Sequence, residues 1–122
     1  MRVFKNAWFE RFSRKQGIAD EALLEAVDRA ERGLIDADLG GGVIKQRVAR
    51  AGQGKSGGFR TIILYRTMER AFFVYGFAKS HRENINSDEE TEFKKAAVHV
   101  LGLSEKHLVA LIAKGQLTEI RS

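Results

Sequence analysis

The chain predicts an α+β fold: a small antiparallel sheet of three to four strands, with two helices before it and one or two after it. Three observations carry this. The middle of the chain holds three runs rich in Val, Ile, Phe and Tyr, at Val43–Arg50, Phe59–Tyr65 and Ala71–Ala78. The links between them are too short for a parallel crossover, so consecutive runs are expected to pair antiparallel. The flanking segments carry apolar residues at helical spacing, bounded by capping residues and glycines. A chain of 122 residues, 43% of them apolar, suits one core, and residues 1–122 are expected to form one domain.

Taken in order, residues 4 to 16 place Phe4, Trp8, Phe9 and Phe12 at roughly helical spacing and predict a short amphipathic helix. Residues 20 to 32 predict a second. Asp20 can cap it, Leu23, Leu24, Val27 and Ala30 form its stripe, and Gly33 suits the left-handed position past its end. The segment LIDADLGGGV, with three successive glycines, reads as a bend into the sheet. The three strands follow. The second and third are apolar on both faces, which predicts cover on both sides of the sheet. Ser87 to Glu90 reads as a capping box before EFKKAAVHVL, which Gly102 ends. Ser104 caps EKHLVALIAK, which Gly115 ends, and the tail QLTEI suits a short edge strand.

Charge singles out the strand region. Between Ile44 and Arg82 stand nine basic residues (Lys45, Arg47, Arg50, Lys55, Arg60, Arg66, Arg70, Lys79, Arg82) against Glu69 alone. That is +8 locally in a chain of net +5, so everything outside it is net −3. A basic sheet surface points to a polyanionic partner, with nucleic acid ahead of a membrane. No apolar run reaches the 18 or so residues of a membrane span. The N-terminal MRVFKNAWFERFSRK is broken by charges, which argues against a signal peptide. Cysteine is absent, which excludes thiolate chemistry and fits a cytoplasmic setting.

The chemistry-bearing motifs narrow further. GQGKS resembles part of a phosphate loop, but the first glycine of that pattern falls on Ala49, and a strand rather than a helix follows. Lys45 and Arg47 are two apart and share one strand face, with Ile44 and Val48 on the other. Arg60 opens the second strand and Lys79 closes the third. Cations gathered with so few acids repel one another, which reads as ligand binding. His81, His99 and His107 are dispersed and the acids fall in helices, so no metal or other cofactor is expected. Tyr65 and Tyr75 are candidates for stacking on a base.

The combination GGVIKQRVARAGQGKSGGFRTIILY and RAFFVYGFAKSHRENI, after a two-helix lead-in, resembles the RelE/HigB family of toxins from bacterial type II toxin–antitoxin systems. The likeness lies in a K-x-R-V-A strand, a G-K-x-G-G-x-R turn and an F-x-K strand end, over roughly residues 20 to 100. It implies a RelE-like α+β fold. It also implies inhibition of translation by metal-independent mRNA cleavage on the ribosome, with the RNA 2′-hydroxyl as nucleophile. The implied partners are a cognate antitoxin, of helix-turn-helix type, and the ribosome with its mRNA in the bacterial cytoplasm.

Carried onto this chain, the pattern makes Lys45, Arg60 and Lys79 the catalytic candidates. It also matches Arg47 and Lys55, which become RNA-binding candidates, joined from the basic strand region and its tyrosines by Arg66, Tyr65 and Arg82. A forked, permanently charged arginine suits phosphate oxygens. A lysine among cations releases its proton more readily, which suits Lys45 or Lys79 to proton transfer. The end of the chain, KGQLTEIRS, lacks the tyrosine or histidine that many branches use there. That leaves open a non-nucleolytic toxin of the same fold, a ParE-like gyrase inhibitor, or a basic RNA-binding module.

Overall fold

The computed structural model describes residues 1–50 and 57–121. It is α+β, as expected, but opens with a strand. The elements are β1 (Arg2–Asn6), α1 (Ala7–Gln16), α2 (Asp20–Glu31), β2 (Ala37–Gly40), β3 (Val43–Val48), β4 (Phe59–Arg66), β5 (Arg70–Ala78), α3 (Ser87–Val100), α4 (Glu105–Ala113) and β6 (Leu117–Ile120). Six strands form one sheet in the order β2-β3-β4-β5-β1-β6. The expected run β3-β4-β5 is consecutive and antiparallel. The expected count of three to four strands misses β1 and β2, while β6 is the edge strand predicted for the tail.

The largest correction is at the N-terminus. Phe4 is not helical: it lies in β1, in register with Phe72 of β5, and the two rings stack at 4.8 Å and 12°. Such a pair adds about 0.5–1.5 kcal/mol beyond burial. The β1–β5 pair is parallel, joined through a crossover of more than sixty residues. Asn6 ends the strand. Its side chain accepts from the Phe9 amide at 2.8 Å, capping α1, and donates to the Val74 carbonyl at 3.2 Å. One residue thus turns the chain and seals the edge of β5 where β1 leaves it.

β2 is the second addition. It pairs with β3 across Gly40, Gly41 and Gly42, all at positive φ (83°, 63° and 83°), a turn that other residues adopt only with strain. Two capping assignments shift by one residue. Ala19 precedes α2 without a side-chain cap, and the capping box of α3 is Asn86 with Glu89, so Ser87 is its first helical residue. Ser104 caps α4 as expected.

Helices cover both faces. α1 and α2 close one core around Phe9, Leu23, Val27, Ile63 and Phe73; α3 and α4 close the other around Phe4, Ile62, Leu64, Phe72, Leu101 and Leu108. Burying each large apolar side chain contributes about 1.5–3 kcal/mol. Gln46, fully buried, ties β3 to α2: its amide donates to the carbonyls of Ala26 and Leu34 at 2.9 and 3.2 Å, and its oxygen accepts from the Asp36 amide at 2.6 Å. Among the described residues no single helix is long and apolar enough to cross a membrane.

Candidate functional site

Strand register decides which cations meet. Lys45 and Arg47 project from β3 on the α3/α4 side, the face of Val43. Arg47 stands opposite Arg60 of β4, and Arg60 opposite Phe77 of β5. The neighbouring row is Lys45, Ile62 and Tyr75. A bulge makes this possible. The register shifts between Ile62, which faces Tyr75, and Ile63, which faces Phe73, leaving Val74 as an extra residue. Strict alternation would send Tyr75 and Phe77 to the face opposite Phe72; the bulge brings them to the same one, an aiming role typical of bulges.

Beyond β5 the chain turns back. The amides of His81 and Arg82 both donate to the Ala78 carbonyl, at 2.9 and 3.3 Å. Arg82 then lies over the rings of Tyr75 and Phe77, 5.8 and 5.7 Å from their centroids. It donates to the Tyr75 hydroxyl at 3.0 Å and grips Glu89 with two nitrogens at 2.6 and 3.1 Å. Glu89 also accepts from the Asn86 amide as part of the α3 capping box. Glu89 first, and then Tyr75, hold the Arg82 guanidinium above its already high ordinary value. In return, Arg82 holds the Glu89 carboxyl below the usual carboxylate range.

The cations of this face differ in what they already hold. Arg47 is bound to Asp36, which accepts from its guanidinium at 3.1 Å and from its amide at 2.7 Å. Burial pushes the Asp36 carboxyl up, but these bonds and the charge of Arg29 outweigh it and keep it low. Lys45 donates to Asn84 Oδ1 at 3.1 Å and has no acid partner among the described residues. Arg60 is half-buried, and its Nη1 is sealed from solvent without a hydrogen-bond partner among the described residues. Lys79 is exposed in the turn after β5, also without an acid partner among the described residues. An unsatisfied buried donor costs about 1–3 kcal/mol, more when charged. Like charges directly opposite on a sheet add to that cost.

Four of the expected residues, Lys45, Arg47, Arg60 and Arg82, therefore converge, with Lys79 at the rim. Lys55 lies outside the described residues. Two others stand apart. Tyr65 points to the opposite face and donates to Glu31 of α2, which also accepts from Thr67 Oγ1 at 3.1 Å. Arg66 lies at the far end of β4, 3.8 Å from Glu69. Asn84, Asp36 and Glu89, the partners of the cations, carried no sequence signal, because each is set by a loop or cap rather than by strand spacing. Among the described residues no three His, Asp or Glu side chains gather as a metal site. His99 and His107 are exposed and line a groove between α3 and α4.

The arrangement is a cationic strip, one arginine with unused donors at its centre, bordered by aromatic rings. It can bind an anion through a fork of N–H donors and place a ring beside it. A family model described as the RelE toxin of the RelE / RelB toxin-antitoxin system matches residues 1–120. No curated protein matches the chain.

Proposed function

The chain belongs to the RelE toxin family of toxin–antitoxin systems, and from that premise we propose that it stops translation by cutting mRNA on the ribosome. Membership itself makes it a toxin with an antitoxin partner. The finer reading rests on one observation: Arg60 is half-buried opposite a second arginine, with Nη1 sealed and unpartnered among the described residues. A purely structural arginine has no use for that geometry. A phosphate oxygen would fill it.

In this reading the RNA 2′-oxygen attacks the adjacent phosphorus, and the P–O5′ bond breaks to leave a 2′,3′-cyclic phosphate. Arg60 donates to the non-bridging oxygens as charge grows on the phosphorane, where preorganised donors count most. Lys45 and Lys79 serve the two proton movements, from the attacking hydroxyl and to the leaving oxygen. Arg47 and Arg82, held by Asp36 and Glu89, position the RNA backbone, and Lys55 adds a further contact. The site is cytoplasmic and bacterial, where ribosome and mRNA are the partners.

Primer extension on cellular mRNA after brief expression tests this. Cuts inside translated codons are expected. Intact mRNA, with DNA synthesis halted before protein synthesis in pulse labelling, would instead mean gyrase inhibition.

A further inference from the structure

We propose that Trp8 and the stripe of α1 around it form a stacking subsite for an unpaired RNA base, continuous with the cationic face; this rests on the RNA reading above. Trp8 lies on two other rings, Tyr75 at 4.8 Å and Phe12 at 5.1 Å, and still keeps 38% of its surface exposed. Through Tyr75 it joins a line of rings leading to Phe77, which sits opposite Arg60. Arg82 covers the same two rings. The aromatic border of the strip therefore continues onto α1.

The surroundings of Trp8 fit one occupant. Trp8, Arg11, Phe12, Lys15 and Gln16 line an open cleft of about 260 Å³. That is below the roughly 300–1,000 Å³ of pockets that enclose whole ligands, and suits a flat ring laid on a surface. Arg11 and Lys15 are exposed and have no acid partner among the described residues; the acid of this helix, Glu10, is taken by Lys5 and Arg14. Lys15, in the last turn, also suits the helix dipole. Arg11, in the middle of the helix, has no such reason. A wide apolar ring with two cations beside it, unpaired among the described residues, complements a base joined to its phosphates, and base–aromatic stacking tolerates any sequence.

Trp8 is the sole tryptophan, so intrinsic emission reports this position alone. The probe is a short oligoadenylate, 2′-O-methylated against cleavage, beside an abasic oligomer with the same number of phosphates. Titration with the first is expected to quench emission saturably. The abasic oligomer is expected to bind roughly tenfold more weakly without quenching, the scale of one lost stack. Trp8→Leu should show a similar loss, and Trp8→Tyr should restore most of the affinity. Equal binding of the two oligomers, or binding of the labelled oligoadenylate without quenching, overturns the subsite and leaves the phosphate strip standing. Absence of saturable binding by either at low salt overturns the RNA reading, and the subsite with it.

Discussion

Arg29 and Arg60 are arginines packed against the two faces of one sheet, and their surroundings are opposite. Arg29 is 6% exposed and fully occupied. It donates to Glu25 at 2.8 Å, lies 3.5 Å from Asp36 and reaches the Arg47 carbonyl. Lys5, on the same side, lies 2.6 Å from Glu10 and 3.1 Å from Asp20. Arg60 has another arginine opposite it and a nitrogen without a partner among the described residues. Where the fold needs a buried cation, it supplies the counter-charges; on the other face Arg47 and Arg82 receive them as well, and Arg60 receives none among the described residues. Under the proposed function, the difference separates cations that hold the protein together from those kept for a ligand.

The contrast breaks if the two arginines behave alike when removed. Arg60→Ala is expected to keep the fold and lose roughly tenfold to a thousandfold in mRNA cleavage, the scale of a missing transition-state donor. Arg60→Lys should also be impaired, since a point charge does not replace a fork. Lys45→Ala should follow Arg60→Ala. Cleavage rates in a translating extract, with circular dichroism to confirm folding, check all three.

Arg29→Ala has the reverse signature. It strips a donor from the Arg47 carbonyl and a counter-charge from Glu25 and Asp36, for an expected loss of about 1–3 kcal/mol in urea unfolding. Cleavage by the folded fraction should be near normal. A large loss of cleavage without loss of stability would place Arg29 with the functional cations.

Much of this was legible in the sequence, for physical reasons. β3, β4 and β5 announce themselves by β-branched and aromatic runs with short links, and their cations by alternation. β1 does not, because its partner in β5 is more than sixty residues away and Phe4 falls by chance on the helical stripe of Trp8. β2, with the sequence ADLG, has no β-branched residue and is a strand only because the three-glycine turn lays it on β3. The site was half legible. Spacing assembled Lys45, Arg47 and Arg60, but the bulge at Val74 decides that Tyr75 and Phe77 join them, and Tyr65 is claimed by Glu31 from a distant helix.

A smaller effect is expected within the strip itself, at the Arg82–Glu89 pair. Glu89 ionises below its ordinary value of 4.5 because Arg82 and then the Asn86 amide stabilise its charge. A carboxyl depressed in the folded state contributes stability that is full above 4.5 and is lost as pH falls through its lower folded value. Glu10, Asp36 and Glu119 add to the same acid limb. Lys5 acts oppositely. Burial pushes its ammonium down, Glu10 and Asp20 outweigh that, and its contribution is full below 10.5 and lost only as pH rises through its raised value. Glu89→Gln is therefore expected to lower stability at neutral pH by no more than about 1 kcal/mol, both partners being about a third exposed. Its stability should also fall less steeply below pH 4.5 than that of the parent. An unchanged acid limb would remove Arg82–Glu89 from the account.

The division between spent and unspent cations is tested most directly by the salt dependence of RNA binding in two charge-matched variants. Arg60→Ala removes a cation from the strip; Lys114→Ala removes an exposed one at the end of α4. Arg2 is the poorer control, because Glu119 and Glu105 hold it at 2.9 and 2.6 Å. With an uncleavable single strand, Arg60→Ala should lower the slope of log K against log salt by about 0.7, one phosphate contact, and Lys114→Ala should leave it unchanged. Equal losses in the two variants would mean that net charge alone attracts the RNA and that Arg60 has no assigned place in binding it.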